Sequence, residues 1–163
     1  YEDEVCHPVT HDSDDTVPPC LDIVLIETTC TPNGTSPLAL KAHQQCMCTG
    51  SFFFEWPFCL QCLFLHGLRS ERDVSHYRAV LDAASTALCD AATPTAEFKS
   101  IFLSAQHMAA EPTEGATISS DAAQGVTDVS LYFTATAPQG PGRITGAATA
   151  ATATALFTAP EVT

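Results

Sequence analysis

The chain has 163 residues, of which 19 are acidic and 6 basic, giving a net charge of −13. That balance excludes a nucleic-acid partner, which needs clustered Lys and Arg to neutralise phosphates, and argues against docking on an anionic membrane surface. Charged residues make up only 15% of the chain, against about 25% in an average soluble domain.

Residues 1–19 form an acidic arm in which Glu2, Asp3, Glu4, Asp12, Asp14 and Asp15 have no compensating base. Pro8, Pro18 and Pro19 discourage helix there. Cys20 to Cys30 is apolar and β-branched, and its pattern fits a strand or a short buried helix equally well. Pro32-Asn33-Gly34 ends it in a turn, and Asn33-Gly34-Thr35 is an N-glycosylation sequon on that turn. Ser36 as N-cap and Pro37 at the first position open a helix that Cys46 and Cys48 close.

Trp56-Pro57 is expected to open a second helix, ending at Gly67 as C-cap. Its apolar residues cover nearly the whole circumference, which predicts a central, buried position. The stretch from Phe52 to Leu68 is not a membrane span, because Glu55, Pro57, Gln61 and His66 interrupt it and a span needs about 20 apolar residues. Ser70-Glu71-Arg72-Asp73 reads as a capping box with Asp in place of Glu or Gln. Val74, Tyr77, Leu81, Ala84 and Leu88 then give an amphipathic stripe running to Cys89. Thr93-Pro94 is expected to start the last helix, carrying Phe98, Ile101, Phe102 and Ala105.

Beyond residue 110 the composition turns to Ala and Thr. Val126 to Ala137 alternates and is rich in strand formers. A turn at 138–142 would return the chain through a second strand from Arg143 to Ala159, with a Ser/Thr/Ala stalk as the alternative. The predicted fold class is therefore α+β: an acidic arm (1–19), a disulfide-rich helical domain (20–108) and an Ala/Thr-rich segment with two strands (109–163).

The cysteines are Cys6, Cys20, Cys30, Cys46, Cys48, Cys59, Cys62 and Cys89. An even number within a short acidic stretch predicts a disulfide framework and an oxidising, extracellular compartment, but leaves the connectivity open. The absence of an initiating Met and of an apolar leader is read as a mature chain whose signal peptide has been removed.

QQCMCTGSFFFEWPFCLQCLFLHGL, followed by SHYRAVLDAASTALC, resembles small secreted cysteine-rich proteins of filamentous fungi. The matching positions are Cys46, Cys48, Trp56, Cys59, Leu60, Cys62, Leu63, His66, Gly67 and Cys89, over about residues 20–105. The resemblance implies a helical module with a Ser/Thr/Ala-rich tail and no assigned activity. The spacing departs from the hydrophobin and CFEM patterns, so neither film formation nor haem binding is carried over.

Cys59-Leu60-Gln61-Cys62 matches C-x-x-C, but inside an apolar helix it reads as two structural bridges rather than a redox pair. His43, Cys46, Cys48, Cys59, Cys62 and His66 do not have the spacing of a zinc finger or ribbon. His7 and His11 beside Asp12, Asp14 and Asp15 offer a metal-binding composition that is more often simply solvated. Glu55, set among aromatics, would have a raised pKa if buried, and otherwise faces solvent or caps the helix at Pro57. Phe52, Phe53, Phe54, Trp56 and Phe58 are either core or an interaction patch.

The expectation is thus a non-enzymatic secreted protein of the fungal surface or matrix, without catalytic residues, metal or cofactor. It would associate with itself, as a homo-oligomer or filament, through its C-terminal strands. A cell-wall glycan or a host protein is a further expected partner. The alternative is a secreted binding module, an effector or a carrier of apolar ligands.

Overall fold

The structure is a computed structural model, and it describes residues 1–8 and 16–152. The helices are α1 (Glu2–Val5), α2 (Pro19–Thr29), α3 (Pro37–Cys48), α4 (Phe52–Leu65), α5 (Glu71–Cys89) and α6 (Phe98–Met108). Short 3-10 turns follow at Val129–Leu131 and Gly146–Ala148. No strand occurs among the described residues; a single antiparallel bridge joins His66 and Asp121.

Local chemistry explains several of the helix boundaries. Ser36 accepts a hydrogen bond from the Ala39 N–H at 3.2 Å, with Pro37 directly behind it. At α5 the capping box is complete: Ser70 Oγ accepts from the Asp73 N–H at 3.1 Å, and Asp73 accepts from the Ser70 N–H at 3.2 Å. Gly67 lies at φ +71°, where an L side chain is strained, and the Leu68 N–H returns to the Leu63 carbonyl at 2.8 Å. The ambiguous segment Cys20–Cys30 is helix, opened by Pro19 at its first turn.

Two helix starts differ from expectation. α4 begins at Phe52, a turn before Trp56-Pro57, so Pro57 sits inside the helix. Lacking an N–H, it forfeits the bond to the Phe53 carbonyl. α6 begins at Phe98 rather than Pro94, because its first N–H finds an acceptor from another helix: His43 Nε2 of α3 receives the Phe98 N–H at 2.9 Å. The adjacent Gln44 donates its amide to the Leu88 and Ala91 carbonyls at 2.8 and 2.7 Å, closing the other end of the α5–α6 connection. Two consecutive residues of α3 thus cap both ends of that connection.

All eight cysteines are paired: Cys6–Cys62, Cys20–Cys59, Cys30–Cys46 and Cys48–Cys89. The bridges tie α4 to the N-terminal arm and to α2, tie α2 to α3, and tie α3 to α5. They surround one apolar core containing Ile26, Met47, Phe52, Leu63, Leu81 and Leu88.

The α+β assignment is overturned by the segment after α6. Val126 to Ala137 is not a strand. Val129, Tyr132 and Phe133 recur at i, i+3, i+4, and all three are buried, which suits a helical turn and not a two-residue repeat. Asp128 caps that turn by accepting from the Ser130 N–H and hydroxyl at 2.9 and 2.8 Å, which holds its carboxyl below the usual range. The expected return strand contains the Gly146–Ala148 turn instead, and its residues 153–159 lie outside the described residues.

Residues 109–152 form a strap laid over the helices. Arg72 donates to the carbonyls of Thr113, Glu114 and Gly115. The Ala122 N–H bonds the Leu65 carbonyl at 2.9 Å, and the Gly142 N–H bonds the Cys46 carbonyl at 2.7 Å. The strap comes so close at Gly142 that a Cβ there would strike Thr49 Oγ1 and approach the Gln45 carbonyl to 2.5 Å and the Gly50 nitrogen to 2.7 Å. Gly142→Ala should therefore lift this part of the strap. Hydrogen exchange should report faster exchange at residues 140–145 with α4 unchanged; equal protection in the variant would contradict this packing.

Candidate functional site

The aromatic run divides by helical phase. Phe52 is fully buried and meets Phe53 and Phe98 edge-on, with ring centroids 5.0 and 5.1 Å apart. Phe53, Trp56 and Phe58 are half-buried, and Phe54 is 47% exposed. Phe54 and Phe58 contact Phe133 of the strap. The run is therefore not one patch. Asn33 is exposed in its turn, accessible to glycosylation.

His43, Cys46, Cys48, Cys59, Cys62 and His66 do not form one site. Cys46, Cys48, Cys59 and Cys62 pair with Cys30, Cys89, Cys20 and Cys6. His43 is occupied on both ring nitrogens, with Nδ1 2.6 Å from the Cys30 carbonyl and Nε2 on the Phe98 N–H. That geometry fixes Nδ1 as the donor and Nε2 as the acceptor.

His66 is buried at the end of α4, its Nδ1 3.5 Å from Asp121 Oδ1 and 3.4 Å from the Tyr1 hydroxyl. Tyr1 also donates to Asp121 and accepts from the Gly125 N–H at 3.0 Å. With Cys6 and Cys62, His66 makes the one cluster of three metal-capable side chains among the described residues. Both sulfurs are joined in a disulfide, so they supply no thiolate. His7 is 3.9 Å from Asp3, while His11, Asp12, Asp14 and Asp15 lie outside the described residues.

Glu55 is fully buried, neither facing solvent nor capping at Pro57. Ser51 donates to its Oε2 at 2.6 Å and Gln139 of the strap to its Oε1 at 2.7 Å. Burial, followed by the neighbouring buried carboxyl of Asp22 of α2, pushes its carboxyl up to about 8, against the opposing effect of Ser51 and Gln139. Asp22 and Gln139 carry no signal of this role in the sequence, because both meet Glu55 only through the tertiary fold.

An apolar groove of about 660 Å³ lies between α5 and α6. Ala79, Ala83 and Ala87 of α5 form one wall; Ile101, Ala105 and Met108 of α6 form the other. Alanines four residues apart fall on one helix face, and their small size leaves the space open. That spacing was readable in the sequence; the facing wall was not. No helix among the described residues is long and apolar enough to cross a membrane.

No family model, no curated protein and no solved structure matches the chain.

Proposed function

We propose that the chain is a secreted, non-enzymatic binding module that takes an apolar, acyl-chain-like ligand between α5 and α6. The observation that carries this reading is the groove, whose volume of about 660 Å³ falls in the range of small-molecule sites. Four disulfides in a chain of 163 residues support an oxidising destination. The resemblance to secreted fungal proteins supports a destination outside a fungal cell.

A fluorescent fatty acid titrated onto the oxidised protein tests it. Saturable binding is expected, and Ala83→Trp, which fills the middle of the groove, should weaken it at least about tenfold, the loss of about 1.4 kcal/mol. Equal affinity in the variant, or no saturable binding by the parent protein, would contradict the reading.

Self-association at the fungal surface is the second reading. It no longer draws on C-terminal strands but on α4, which leaves Phe54 and Phe64 exposed at 47% and 38%. Sedimentation velocity across a concentration series separates the two readings. A cell-wall glycan or host protein as partner belongs to this same set of proposals.

A further inference from the structure

Two acidic side chains, Asp22 and Glu55, are buried together where α2, α4 and the strap meet. Their residues are 6% and 0% exposed, and Asp22 Oδ2 has no hydrogen-bond donor among the described residues. The groups acting on Glu55 are Asp22 of α2, Ser51 before α4 and Gln139 of the strap; no Lys, Arg or His is among them. A carboxylate buried beside a second carboxyl and without a cation is costly to keep ionised, and a proton on Glu55 removes that cost.

The same site fastens the strap. Gln139 donates to Glu55 and to the Val17 carbonyl at 2.7 Å, and accepts from the Val17 N–H at 2.9 Å. Beside it, the Ser51 N–H bonds the Gly140 carbonyl at 3.0 Å, and the Gly140 N–H bonds Ser51 Oγ at 2.8 Å. We propose that Glu55, buried beside Asp22, is an acid-closed latch: with Glu55 protonated, it holds residues 139–142 against α3 and α4, and with Glu55 ionised, it releases them.

The sign follows from proton linkage. Glu55 binds its proton more tightly in the closed form than in a released, solvated form, so the closed form is fully favoured in acid and loses stability as pH rises toward about 8. The disulfides leave the helical unit clamped, so release stays local to the strap.

Amide exchange of the oxidised full chain, followed by NMR, tests the latch at the Ser51, Gly140 and Gly142 N–H groups. After correction for intrinsic exchange, their protection should fall about tenfold per pH unit from about pH 5 to 8 and then level off, while amides within α4 stay protected. Glu55→Gln, which keeps the shape and carries no charge, should abolish that slope. Asp22→Asn removes the neighbouring carboxyl that favours the protonated form, so the fall should level off at lower pH than in the parent protein, and by direct titration Glu55 should ionise at lower pH. A flat profile in the parent protein, an unchanged slope in Glu55→Gln, or parallel loss at α4 amides would each overturn the proposal. Should Glu55→Gln fail to fold, the Glu55 titration in the parent protein and in Asp22→Asn decides alone, and an ordinary carboxylate value in both would overturn it.

Discussion

Replacing Cys20 and Cys59 together by alanine should cost about 4 kcal/mol, the chain-entropy value for the 39-residue separation that this bridge closes. The bridge lies inside the α2–α4 contact, with Cys20 fully buried and Cys59 8% exposed. In a chain of this length each kcal/mol moves the midpoint by about 2–4 °C, so thermal denaturation should fall by roughly 10 °C. Cys30–Cys46 spans 16 residues, and its removal should cost less, about 3 kcal/mol. A double variant within about 2 °C of the parent protein would mean that this bridge does not clamp the unit.

The second large effect is expected at Phe52. Phe52→Ala empties a fully buried site in contact with Phe53 and Phe98 and should cost about 3–5 kcal/mol. Phe54→Ala, two residues on and 47% exposed, should cost less than about 1 kcal/mol. Chemical denaturation of the two variants separates them, and similar losses would show that the run is not divided by helical phase as described.

What could be read from the sequence was local. The Ser36-Pro37 start, the Ser70–Asp73 box and the Gly67 stop each depend on residues within one turn, and each appears where its chemistry places it. What could not be read was contributed from a distance. His43 sets the start of α6 from α3, 55 residues away in sequence. Asp22 and Gln139 decide whether Glu55 is an ordinary surface carboxylate or a buried one, and neither is near it in sequence.

The strand expectation failed for a related reason. β-branched and aromatic residues near 126–137 satisfied a composition rule, but a strand also needs a partner edge. The apolar residues of this segment instead had a nearer solution, with Val129, Tyr132 and Phe133 turned together onto α4 and its neighbours. Likewise, the α5 stripe marked the buried face correctly, with Leu81, Ala84 and Leu88 all in the core, and left the alanines of the opposite wall without a reading.

Disulfide mapping is the most direct test of the fold on which the groove and the latch both rest. Proteolysis without reduction, followed by mass spectrometry, should recover Cys6–Cys62, Cys20–Cys59, Cys30–Cys46 and Cys48–Cys89 with no free thiol. Free thiols, or a different set of partners, would contradict the account.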